Sequence, residues 1–166
     1  MIYLLGINHG VQFQKESEQT KKFLAYLKQK TRDLKIVFIV EEWSRDVSRE
    51  RKVQTTTIED LARDLKVEHQ YCDPGEKERK QLGIPSIKET EGVLGLSRWY
   101  SSPDASRVQE EQRKFNPIRE SYWFDVIRNK VHSDMIFICG SDHLFTFKEL
   151  LVKNGCKVKI FSKSFD

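Results

Sequence analysis

Apolar residues follow two rhythms along this chain, and each rhythm predicts an element. Short unbroken runs occupy Met1–Ile7, the IVFIV within Lys35–Val40 and the MIFIC of Met135–Cys139. β-Branched and aromatic residues in continuous runs are the mark of strands buried on both faces of a parallel sheet. Val67–Cys72 and Val158–Phe161 add a third and a last strand. Between them the period lengthens. Glu16–Arg32 sets Phe23, Leu24 and Leu27 at helical spacing, with Leu34 just beyond it, among charged residues. Thr55–Thr57 caps a helix over Ile58–Leu65, and His143–Lys153 turns Leu144, Phe147, Leu150 and Leu151 inward before Asn154-Gly155 stops it. Val108–Val131 supports a long helix that Asn116-Pro117 interrupts or kinks.

Strands alternating with helices predict an α/β fold: a three-layer sandwich with a mostly parallel sheet of about five strands and helices on both faces. The 166 residues fit one domain, 1–166. Two stretches lack a period. Ser44–Lys52 is charged throughout, and 73–106 opens with Asp73-Pro74-Gly75 and holds three of the four prolines, so it is expected to be an irregular, lid-like excursion with short helical turns.

Composition narrows the class of protein. Hydrophobic residues are 38% and charged residues 33%, but ten Phe, three Trp and five Tyr supply a core and exclude general disorder. No apolar run approaches the roughly 20 residues of a spanning helix, and Met1–Gly10 lacks the basic flank of a secretory signal, so a cytoplasmic chain with no membrane association is expected. Cys72, Cys139 and Cys156 are odd in number, show no CxxC spacing and are expected to be reduced, buried thiols. The net charge of +4 gives nucleic acid little support as a partner. Only Lys153, Lys157, Lys159 and Lys163 cluster, and they make that the weakest candidate.

In open α/β sheets the functional crevice lies beyond the carboxyl ends of the strands, so the residues that follow each strand belong together. They are Gly6-Ile7-Asn8-His9, Glu41-Glu42, Cys72-Asp73 and Gly140-Ser141-Asp142-His143. With eight Gly and four His in the chain, two GxxH matches at strand ends exceed chance. Glycine permits the sharp turn, and the histidine three positions on can return over the strand ends. Adjacent Glu41 and Glu42 leave a strand in opposite directions, so one of them at most faces a common site. Asp73 sits in a turn sequence that explains it on its own, and His69 and His132 have no companions and fit surface or strand positions. Trp99-Tyr100 and Tyr122-Trp123-Phe124 suit core packing as well as stacking on a planar ligand.

GINH, GSDH, the glutamates of VEEW and the Arg-Glu of PIRESYWFDVI, taken together, resemble the erythromycin esterase/ChaN-like superfamily, which includes TraB and TIKI proteins. The most similar stretch is GSDHLFTFKELLVKNGCKVKIF, and 73–106 matches nothing in that family's pattern. The resemblance implies a hydrolase pocket with His9, His143, Glu41 or Glu42, and Arg119 reaching in from the long helix. Two chemistries stay open. His9, Glu42 and His143 could hold a divalent metal ion whose bound water attacks, with the other glutamate as base and Arg119 stabilising charge on the substrate oxygen. Alternatively His9 takes the proton of water directly while a glutamate orients its ring. Either would cleave an ester, amide or phosphate bond of a small-molecule or peptide substrate. The competing reading is a non-enzymatic module that holds a nucleotide or other anion in the same crevice against Arg119, Arg98 and Arg107.

Overall fold

The chain forms five strands, β1 (Ile2–Ile7), β2 (Phe38–Glu41), β3 (Glu68–Tyr71), β4 (Met135–Gly140) and β5 (Val158–Ser162); in all but the polar edge strand β3, alternate side chains enter two separate apolar layers. The computed structural model describes residues 1–96 and 102–162. The strands form one sheet in the order β3-β2-β4-β1-β5, with every pairing parallel. Eight α-helices lie among the described residues: α1 (Glu18–Asp33), α2 (Arg45–Arg51), α3 (Thr57–Leu65), α4 (Glu76–Gln81), α5 (Ile87–Val93), α6 (Ser102–Arg113), α7 (Asn116–Ile127) and α8 (Leu144–Lys153). None is long and apolar enough to cross a membrane.

Ile2, Leu4, Phe38, Val40, Met135, Phe137 and Cys139 face Trp123 and Ile127 of α7 and Leu144, Phe147 and Leu151 of α8. Leu5, Ile7, Ile39, Ile136 and Ile138 face Phe23 and Leu27 of α1 and Ile58 and Ala62 of α3. The fold is therefore the α/β sandwich that the alternation of elements predicts. Its topology also fixes where a site can form. β1 and β4 are neighbours, but the chain leaves β1 toward the α1 face and leaves β4 toward the α8 face. Between two such strand ends the connecting segments diverge and a crevice opens.

The structure departs from the sequence pattern in three places. Ser44–Lys52 holds a helix, α2, capped by Ser44 Oγ on the Val47 N–H at 3.3 Å. It buries Ser48 under the Trp43 indole instead of an apolar stripe, so hydrophobic period could not reveal it. The excursion 73–106 contains α4, α5 and the start of α6, and α5 carries a reciprocal cap between Ser86 and Glu89. Finally, the expected long helix over Val108–Val131 is two helices, with Pro117 in the first turn of α7, where a missing N–H costs nothing. Cys72 and Cys139 are buried and free, whereas Cys156 is half-buried.

Phe137 lies 5.7 Å from the Trp123 ring and 4.6 Å from the Phe147 ring, all three fully buried. Phe137→Ala empties the centre of that layer and is expected to cost about 3–5 kcal/mol in urea unfolding. A loss below about 1 kcal/mol would mean that the aromatic layer does not hold α7 to the sheet.

Candidate functional site

Each strand end contributes through a different local device. After β1, the Asn8 side chain accepts from the Gly10 N–H at 3.0 Å and folds His9–Gln12 into a single 3-10 turn. After β2, the Glu42 N–H donates to the Ile138 carbonyl at 2.8 Å, which carries the pairing one residue further and lays Glu42 over the end of β4. After β3, the Asp73 N–H donates to the Trp43 carbonyl at 3.0 Å. After β4, Ser141–His143 makes another 3-10 turn that leads directly into α8. Asp142 does not cap that helix; its carboxylate takes the Arg113 guanidinium at 2.7 Å.

Glu42 is the hub. Its Oε1 accepts from Arg119 Nη2 at 2.5 Å and lies 3.6 Å from His143 Nε2. Its Oε2 accepts from the Gly140 N–H at 2.7 Å and lies 3.7 Å from His9 Nε2. Burial alone would raise the carboxyl pKa, but the Arg119 guanidinium, the His9 and His143 rings and the Gly140 N–H outweigh it and hold it at about 2. Glu42 is thus a buried anion at neutral pH.

Arg119 reaches this hub from α7. Its Nε and Nη2 donate to Asp73 Oδ1 at 3.0 and 2.7 Å, and its Nη1 donates to His143 Nε2 at 3.3 Å. Burial would depress its pKa, but Glu42 and Asp73 more than offset that and raise it, so the cation is permanent. One Nη1 hydrogen takes no protein acceptor among the described residues. Asp73 also accepts from Trp123 Nε1 at 3.1 Å and from Arg79 at 2.7 Å, so it braces the arginine from below and does not line the cavity.

The two histidines therefore differ. His143 is buried, its Nδ1 donates to Glu120 Oε1 at 2.8 Å, and its Nε2 lone pair is taken by Arg119. His9 has 46% of its side chain exposed, and its Nε2 meets no closer partner than Glu42. Both line a cavity of about 480 Å³ together with Glu42, Arg119, Gly140, Ser141 and Asp142. The opposite wall comes from Gln109, Gln112 and Arg113 of α6 and Asn116 of α7, and no residue of 73–96 reaches it.

Of the expected site residues, His9, Glu42, Arg119 and His143 meet at this cavity, and Glu41 does not. Glu41 is fully buried on the other side of β2, where it accepts from Thr56 Oγ1 at 2.5 Å, Gln12 Nε2 at 2.7 Å and His69 Nε2 at 2.8 Å. His69 therefore has a partner after all. Trp123 belongs to the core, its ring 4.6 Å from that of His143. Arg107 pairs with Asp104 away from the cavity, and Arg98, Trp99, Tyr100 and Lys163 lie outside the described residues. Sequence reasoning missed Gln12 and Arg113, and it noted Glu120 only as the neighbour of Arg119 in the Arg-Glu pair. Gln12 stands three residues after His9, a spacing visible in the chain, but nothing in the sequence marks it as buried.

The set His9, Glu42 and His143 does not fit a divalent ion. The Glu42 oxygen and the His143 nitrogen that would have to share it both face the Arg119 guanidinium, so a second cation there would meet a fixed positive charge. Among the described residues no other group of three His, Cys, Asp or Glu is arranged to hold a metal.

A carboxyl whose pKa is lower in the folded chain stabilises it above the ordinary carboxyl range, and that contribution disappears as acid protonates the native state. For Glu42 the loss is expected as pH falls from 4.5 toward about 2. Glu42→Gln should cost about 2–3 kcal/mol at neutral pH and progressively less through that window, read by urea unfolding at stepped pH. A constant difference would show that the charge is not what matters. At Gly140 an added Cβ would stand 3.0 Å from His9 Nε2, the movable end of an exposed side chain. Gly140→Ala should leave the melting temperature within about 3 °C while shifting the His9 ring resonances in NMR spectra; an unmoved His9 would contradict the contact.

No family model, curated protein or solved structure matches this chain.

Proposed function

We propose that this protein is a cytoplasmic, metal-independent hydrolase that uses His9 to activate water and cleaves an ester bond at the cavity between the ends of β1 and β4. One observation carries the reading. His9 Nε2 stands at the open cavity 3.7 Å from an ionised Glu42, while every other charged group at the hub is already paired. The Nε2 lone pair removes a proton from water, and the oxygen of that water forms a bond to the ester carbonyl carbon. Glu42 stabilises the imidazolium that results. The remaining Nη1 hydrogen of Arg119 is the donor available to the carbonyl oxygen as it becomes negative. Collapse breaks the carbon–oxygen bond to the leaving alcohol, which takes the proton back from His9.

On charge, an ester is favoured over a phosphate bond or a bound nucleotide. Arg119 is balanced by Glu42 and Asp73, and Arg113 by Asp142, so little net positive charge is left for a phosphoryl group or a nucleotide. The likeness of GINH, GSDH and the flanking residues to the erythromycin esterase/ChaN-like superfamily agrees with this reading and belongs to the same proposal. The free, buried Cys72 and Cys139 thiols suit a reducing compartment.

The test is hydrolysis of a panel of nitrophenyl esters and lactones by the wild type and by His9→Ala, with and without chelator. The wild type should turn over at least one ester above the buffer rate, His9→Ala should lose on the order of a hundred-fold or more, and chelator should change neither. Full activity in His9→Ala removes His9 as the base, and loss of activity in chelator removes the metal-independent scheme.

A further inference from the structure

A neutral imidazole is a base only at the nitrogen without hydrogen, so water activation at Nε2 requires the proton of His9 to sit on Nδ1. Something must choose that tautomer. Gln12 ends the same 3-10 turn that His9 begins, and in such a turn side chains three residues apart stand one above the other. Gln12 Oε1 lies 2.7 Å from His9 Nδ1.

The amide cannot be reversed. Gln12 is completely buried, and its Nε2 donates to Glu41 Oε2 at 2.7 Å and to the Glu42 backbone carbonyl at 3.3 Å. Turning the amide over would press its oxygen against both. The backbone carbonyl only accepts, so it fixes the orientation whatever the state of Glu41. Glu41 is itself held by the Thr56 hydroxyl and by His69, which explains a buried carboxylate that touches no part of the cavity.

We infer that Gln12 is a positioning residue: anchored by Glu41 and the Glu42 carbonyl, its amide oxygen holds the proton of His9 on Nδ1 and leaves the Nε2 lone pair at the cavity. The inference deepens the proposed reaction and rests on His9 as its base, but its first readout is independent of any substrate.

That readout is the ring nitrogen pattern of His9 in a 15N-labelled chain, recorded in alkaline buffer where the ring is neutral. The wild type should show a protonated Nδ1 and an unprotonated Nε2. Gln12→Met, similar in size and without the acceptor, should shift the ring toward the Nε2-protonated form and lower kcat on the order of a hundred-fold with KM little changed. A wild-type ring protonated on Nε2, or a Gln12→Met ring identical to wild type, overturns the inference. The first of these needs no variant to fold. A protonated Nδ1 in a chain that cleaves no ester would support the role of Gln12 while removing the proposed reaction.

Discussion

A guanidinium buried between two carboxylates sets the terms for the rest of this molecule. Removing an arginine from water is costly unless anions and hydrogen-bond acceptors meet it, and Glu42 and Asp73 do so from the ends of two different strands. Because Arg119 stands on α7, the same contact fastens that helix to the carboxyl edge of the sheet. The indole N–H of Trp123, one turn further along α7, binds the same aspartate, so the apolar packing of the helix and its ionic anchor enforce one position. The same guanidinium occupies the place between Glu42 and His143 where a shared metal ion would need to sit.

Neighbouring residues take different tasks because local geometry sends them apart. Glu41 and Glu42 leave β2 on opposite sides, one into a buried network with Thr56, Gln12 and His69, the other to the cavity. Arg119 and Glu120 are successive on a helix, and the glutamate accepts from His143 and from Thr146 at 2.6 Å while the arginine serves Glu42. The two GxxH turns diverge in the same way. One histidine is enclosed under α7 and has both nitrogens engaged; the other stands at the cavity mouth with one nitrogen free.

The fold was legible from local pattern where burial is two-sided and apolar. Strands β1, β2, β4 and β5, and helices α1, α3 and α8, carry their periods openly, whereas the polar edge strand β3 is marked in the sequence only by the Val67 and Cys72 that flank it. Helix α2 was not legible, because its inner side is a serine under an indole, and the break between α6 and α7 was visible only as Pro117 within what otherwise reads as one helix. Of the cavity residues, His9, His143 and one of the pair Glu41-Glu42 could be placed by the rule that strand ends gather at one edge. Gln12 could not, since a glutamine in a polar turn carries no distinguishing mark until its buried partners are known.

By itself, then, the sequence determined which segments are strands, that their carboxyl ends share an edge, and that two imidazoles and a carboxylate stand at that edge. Those are consequences of short-range periodicity and chain direction. Only the tertiary structure decided which glutamate faces the cavity, which histidine keeps a free nitrogen and what fills the space between them. Arg119 meets Asp73 and Glu42 across 46 and 77 positions of chain, and the energies of such buried charges depend on every neighbour at once, which no local pattern encodes.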